Sequence, residues 1–318
     1  MTKSSQKITI LFLAFSLIGL LEKSASKEIN FSESFQGWVL NLLQGEDNQP
    51  KTLNNFQSSL SNYFVKNNSD KSLKNCEPKI EEPNFLVMGG GGNPSYNEIA
   101  LEKNVLYFQR TLKQMGYPPS SANIFFANGN DGQATIRYLN PQRQEKFKVP
   151  NIPDLKGSAT VQNLNNWVDH LKLNGKNKPI FFYFTGHGIL NHENANNNAL
   201  MLWGDTPLTV RTLANMLNKL PKNSHIVTMM AQCYSGSFAN FIYQDGNPNK
   251  PLALQTRCGF FATIKTLPSV GCTPEVDEAD YRDYSSSFFA GLSGVNRIGK
   301  PVASADYNQD GRVSYYEL

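Results

Sequence analysis

The chain has 318 residues, 40% of them hydrophobic and 18% charged, with four cysteines and a formal net charge of +4. That length allows one large domain with a sizeable core, or two small ones. Residues 1–26 hold Lys3, Lys7 and Lys23 against Glu22, so without them the +4 falls by 2 to +2. A near-neutral chain with no basic stripe interleaved with aromatics excludes nucleic acid as the expected partner.

Residues 1–26 have the form of a secretory signal. Lys3 and Lys7 precede an apolar run over 8–21, and Ser24, Ala25 and Ser26 offer a cleavage site. The run is short for a membrane span. The expected mature protein is exported (secreted or periplasmic), with no membrane span after signal cleavage; an uncleaved anchor is the alternative. Export permits disulfides among Cys76, Cys258 and Cys272. Cys258–Cys272 closes the shortest loop and is the first choice, although spacing does not decide connectivity. Residues 27–82, rich in Asn, Ser and Lys, hold one amphipathic stretch near 35–43 and then linker-like sequence. A pro-segment, an appendage and a spacer all stay open. Asn30 and Asn67 fit the glycosylation acceptor pattern.

From Asn84 the pattern changes. Strands are predicted over 85–88, 124–127, 180–184, 225–230 and 259–264, with a hairpin over 199–207. Helices are predicted over 96–115, 161–173, 210–220, 237–243 and 286–292. Strands alternating with helices give an α/β domain with a mainly parallel sheet and right-handed crossovers, spanning about 83–300.

Two apolar runs end in polar residues. Residues 178–188, KPIFFYFTGHG, stop at His187 between Gly186 and Gly188, and 231–237, AQCYSGS, follow the strand at 225–230. Ligands bind at the carboxyl ends of parallel strands, so His187 and Cys233 are expected to share one site as base and nucleophile. A helix starting near Ser237 would present its positive end to Cys233. The N–H groups of Cys233 and Gly188 are the candidate oxyanion donors.

Other features read as structural. Ser235 lacks the G-x-S-x-G elbow pattern. His170, His192 and His225 fall on a helix, a loop and a strand start, and Asp205 is expected to make the hairpin turn. The glycines at 89–92 lack both nucleotide-binding fingerprints and are expected to let a loop pass close to a substrate cleft.

A strand ending in T-G-H-G, then a hairpin and helix, then a strand ending in A-Q-C-Y-S-G, resembles the caspase/legumain clan of cysteine peptidases. Legumain-type members, including the glycolipid-anchor transamidase subunit, are the most similar. His187 precedes Cys233 by 233 − 187 = 46 positions, near the offset of about 50 found in caspases. The resemblance implies a caspase-like α/β/α sandwich and a Cys–His dyad with no obligatory third member. It also implies a preference for one substrate residue before the scissile bond. Legumains commonly carry a glutamate near the cysteine; here Gln232 and Tyr234 flank Cys233, so specificity does not carry over. Arg257, Glu275 and Asp277 are placed near a specificity loop by analogy alone.

Residues 306–317, DYNQDGRVSYYE, match the twelve-residue calcium loop of an EF-hand. Asp306, Asn308 and Asp310 supply side-chain oxygens, Arg312 a carbonyl and Glu317 a bidentate carboxylate. Ser314 takes the ninth position, and Gly311 permits the turn. The closing helix is missing from the pattern. Ca2+ is therefore the expected ion, structural or regulatory and not required for the chemistry. The reading is an exported cysteine endopeptidase acting on proteins or peptides. Its alternatives are a transpeptidase or transamidase, and a catalytically inactive, calcium-dependent binding module.

Overall fold

The computed structural model describes residues 83–174 and 178–311, with 313, 314 and 317. The expected leader, the 27–82 segment with Cys76, and Arg312 lie outside the described residues.

The central sheet is built from β1 (Asn84–Gly90), β2 (Ala122–Phe126), β5 (Leu155–Gly157), β6 (Ile180–Gly186), β10 (His225–Met230) and β11 (Thr256–Phe261). Their order is β11-β10-β6-β1-β2-β5, and every neighbouring pair is parallel. A hairpin of β3 (Ile136–Leu139) and β4 (Glu145–Lys148) stands apart, as does a small sheet of β7 (Gly188–Ile189), β8 (Ala199–Leu202) and β9 (Thr206–Thr209). The helices are α1 (Ile99–Gln114), α2 (Val161–Asn174), α3 (Val210–Leu217) and α4 (Tyr284–Ser293).

Both faces of the sheet are covered, so its strands are apolar on both sides. Phe85, Val87, Tyr183 and Met229 pack with Leu101, Val105, Phe108 and Leu112 of α1 and with Phe288 and Phe289 of α4. Leu86, Met88, Phe182, Phe184 and Met230 face the other way, onto Leu164 and Val168 of α2 and Leu213 and Leu217 of α3. The period of two along each strand thus feeds two cores, and the spacings of four, three and four along α1 keep its apolar side on the sheet. Each such buried side chain contributes about 1.5–3 kcal/mol. The result is an α/β/α sandwich, as expected. Thr209 caps α3 by accepting from the Thr212 N–H (3.1 Å), and Asp283 caps α4 by accepting from the Ser286 N–H (2.7 Å). Among the described residues no helix is long and apolar enough to cross a membrane.

Three local expectations change. Residues 235–242 form a 3₁₀ segment entered through Tyr234 at φ 59°, not an α-helix. The aligned dipole expected at Cys233 is correspondingly reduced, because 3₁₀ geometry is poorer and the run is kinked at its start. The last sheet strand begins three residues earlier than predicted, at Thr256, where it pairs with His225. Cys258 and Cys272 are not joined to each other, so the bridge expected between them is not formed. Cys258 sits on β11, and Cys272 lies in the loop beyond it.

Candidate active site

The chain runs outward from β1 through β2 to β5, then returns to place β6 on the other side of β1. That reversal opens a crevice at the carboxyl ends of β1 and β6. The loop after β1 folds back tightly there. A Cβ on Gly91 would lie 1.8 Å from the Tyr96 carbonyl oxygen, so only glycine fits. The turn delivers Glu98, the residue before α1, into the crevice with 3% exposure. One carboxylate oxygen of Glu98 accepts from Arg137 (2.7 Å) and the other meets His187 Nε2 at 3.0 Å.

His187 follows β6. Its carbonyl accepts from the Met201 N–H of β8 (2.9 Å), and its ring meets the edge of Tyr96 with centroids 5.7 Å apart. Burial pulls the imidazole down, but the Cys272 thiol and the Glu98 carboxylate outweigh it and raise it to about 10. Burial likewise pushes Glu98 up, and the hydrogen bond and charge of His187, then Arg137, hold it below the ordinary carboxylate range. Both directions describe one pair, a carboxylate facing an imidazolium.

Gly188 joins this turn to the next. A Cβ there would stand 2.0 Å from the Cys233 carbonyl oxygen and 3.0 Å from Gln232 Cγ. The His187 and Cys233 turns therefore touch through bare backbone. No hydrogen bond links the two side chains among the described residues. The Cys233 thiol instead accepts from the Ser269 N–H (3.3 Å) and donates to the Ser269 carbonyl (3.5 Å).

Ser269 belongs to residues 262–283, a strap that crosses the strand ends from β11 to α4. Its near end is tied at the Cys233 turn, where Tyr234 N–H donates to Leu267 (2.9 Å) and Asn198 donates to Lys265 (2.8 Å). Farther along, Ala100 N–H donates to Thr273 (3.3 Å) and Leu139 N–H to Pro274 (2.8 Å). At its end Asp283 accepts from the buried Arg297 (3.3 Å), whose guanidinium stacks on Tyr281 and Tyr107. Between these ties Cys272 is exposed, with its Sγ 4.0 Å from the Gly186 carbonyl and within 4.8 Å of a His187 ring nitrogen.

Of the residues expected at the site, His187, Gly188 and Cys233 do come together at the strand ends. Glu98 and Cys272 were not expected there, and Gln232 was expected only as a neighbour of Cys233. Gln232 is 1% exposed, and neither atom of its amide has a partner among the described residues. Glu98 carries one faint signal, an acid just after a glycine-rich strand exit. Ser235 is fully buried and accepts from the Thr263 N–H (3.1 Å), which is a structural role. Asp205 makes the hairpin turn at φ 53° and accepts twice from Asn93 of the glycine loop (2.9 and 3.1 Å). Arg257 sits near the start of β11, away from the crevice, bonded to the Phe241 carbonyl (2.8 Å). Glu275 pairs with Arg143 (2.8 Å), and Asp277 accepts from the Ala279 N–H (2.9 Å).

In the C-terminal loop Gly311 adopts φ 80°. Asp306 accepts from the Asp310 and Gly311 N–H groups (3.1 and 3.0 Å). Glu317 reaches back across the loop to the N–H groups of Asn308 (3.3 Å) and Ser314 (2.7 Å). Hydrogen bonds from Ser314 come first among the causes that hold the Glu317 carboxyl below its ordinary range. The donors of this loop are hard oxygens, the set a calcium ion takes.

No family model matches the chain, and no curated protein matches it. A solved structure of a protein from Geobacter sulfurreducens aligns with a TM-score of 0.31 and 11% identity, over 48% of this chain and 51% of that one. The chain thus spans about half the length of that protein's chain, and a likeness at this level bears on neither fold nor chemistry.

Proposed function

We propose that this chain is an exported cysteine endopeptidase that cuts peptide bonds by acyl transfer. The observation that carries the reading is the backbone contact of Gly188 on Cys233, which sets a histidine turn against a cysteine turn at neighbouring parallel strand ends. Glu98 acts as a positioning residue for the imidazole.

Cys233 attacks the scissile carbonyl as a thiolate beside an imidazolium. The N–H groups of Cys233 and Gly188 receive the oxyanion. His187 gives its proton to the leaving nitrogen, the C–N bond breaks, and the thioester remains on Sγ. Neutral His187 then takes a proton from water while the water oxygen attacks the thioester; the acid departs and the thiolate–imidazolium pair is restored. An amine in place of that water makes the same site a transpeptidase. Ser269 must leave the thiol before substrate enters, so the strap as described corresponds to a resting state.

Calcium would be held by Asp306, Asn308, Asp310, Glu317 and the carbonyl of Arg312, fixing the loop rather than entering the chemistry. Export rests on the sequence pattern of residues 1–26. A second reading takes Cys272 as nucleophile, because its Sγ lies within 4.8 Å of a His187 ring nitrogen. Peptides varied at the residue before the scissile bond, assayed with calcium and with chelator, test both. Cleavage lost in Cys233→Ala and kept in Cys272→Ala supports the first reading, and the reverse pattern supports the second. No cleavage by the folded protein, with the strap intact or nicked, would leave the binding module.

A further inference from the structure

We propose that Glu98, His187 and Cys272 form a site for a divalent cation that favours thiolate and imidazole, with zinc as the type, and that the cation fastens the strap to the sheet. A carboxylate oxygen of Glu98, a ring nitrogen of His187 and the Sγ of Cys272 all lie within 4.8 Å of one another. Ligands of these three kinds on tetrahedral zinc stand about 3.3–3.7 Å apart. Glu98 and His187, already 3.0 Å apart, need only part slightly and release the proton between them, while Cys272, exposed on the strap, moves in by roughly an ångström.

The donor set decides the class of ion. One sulfur and one imidazole nitrogen select zinc over calcium or magnesium, which want oxygens alone. The all-oxygen loop at 306–317 is the opposite case, so the two sites would sort ions by chemistry. Arg137, 2.7 Å from the other oxygen of Glu98, fixes the carboxylate in orientation, while its positive charge opposes a second cation and weakens the site. Three protein ligands leave a fourth position open to water.

The three ligands come from the head of α1, the end of β6 and the strap. A bound ion would therefore tie the strap to the sheet, and on the peptidase reading it is the strap that must lift for substrate to reach Cys233. The strap is already tied on either side of Cys272, at Ser269 and at Thr273, so little ordering remains to be done. Inhibition by the ion rests on the peptidase reading; binding does not.

The test uses the full chain with cobalt as a spectroscopic stand-in and zinc as competitor. One equivalent of cobalt should give a thiolate-to-cobalt absorption band that zinc displaces and excess calcium does not. The band should vanish in Cys272→Ser, a change at an exposed position. Affinity should fall by more than about tenfold in Glu98→Gln, with circular dichroism checking the fold of both variants. Zinc should also slow alkylation of Cys272, read by peptide mass. A band that survives Cys272→Ser, or an alkylation rate unmoved by saturating zinc, would overturn the site. Loss of the band with Cys272 supports the site whether or not any peptide is cut, so failure of the peptidase reading stays separate.

Discussion

Cys233 and Cys272 occupy two different kinds of position at one end of the sheet. Cys233 sits at the exit of β10, its turn pressed against Gly188 and its thiol held between the N–H and carbonyl of Ser269. Cys272 is exposed in the middle of the strap and shares the His187 ring with Glu98. One thiol is placed by the rigid sheet, the other by a loop whose own anchors are mostly backbone carbonyls. On the peptidase reading the strand end holds the better-placed nucleophile, since small misplacements cost large factors in rate. The strap covers that strand end through ties to the Cys233 turn, α1 and Arg297.

The largest expected effect separates these positions by rate. Cys233→Ala should reduce peptide hydrolysis by more than about a thousandfold, while Cys272→Ala should leave it within roughly threefold, measured as kcat/KM on the same peptide. A reversal would assign the nucleophile to the strap.

Next comes the residue the two thiols have in common. Glu98→Gln removes the charge that faces His187 and should cost about 1–3 kcal/mol in urea unfolding at pH 6. The sign follows from both partners. Glu98, lowered in the fold, contributes stability that is full above its ordinary value of 4.5 and lost as pH falls through its lowered one. His187, raised to about 10, contributes stability that is full below 6.5 and lost as pH rises through 10. The difference between wild type and variant should therefore be greatest between 4.5 and 6.5 and shrink on either side.

Gln232 gives a smaller effect of opposite sign. Its buried amide has no partner among the described residues, and replacing it with the similarly shaped Met should raise stability by about 1 kcal/mol, seen as a higher urea midpoint. A loss instead would mean the amide binds something at the strand end. The smallest effect probes the strap. Ser269→Pro removes the N–H that meets Cys233 Sγ and should speed alkylation of Cys233 by about three- to tenfold. Unchanged alkylation would show that the strap does not shield the thiol.

The sandwich was largely legible because β1, β6 and β10 are apolar on both faces, and few other arrangements bury such runs. The hairpin of β3 and β4 was not. Its second strand reads EKFK and is mostly exposed, so it lacks the alternation that marks a half-buried strand. β5 has only three residues. At the site, His187 and Cys233 announced themselves as polar ends of apolar runs. Glu98 and Cys272 had no such marker, since each gains meaning only from a partner that folding brings: Glu98 meets His187 from 89 positions away. Cys272 arrives there because Asp283 and Arg297 anchor the strap's far end.

The place of β1 at the middle of the sheet also bears on how the chain reaches its fold. On one side it pairs Phe85 with Ala122, a separation of 122 − 85 = 37 residues. On the other it pairs Asn84 with Ile180, a separation of 180 − 84 = 96. As the chain emerges from a ribosome or a translocation pore, β1 and β2 can associate early, but the second edge of β1 waits for β6. During that interval an apolar strand edge lies open to pairing with another chain, and closing so long a loop slows the step that covers it. The same connectivity that opens a crevice between β1 and β6 makes the two strands late partners, so the crevice takes shape only near the end of folding.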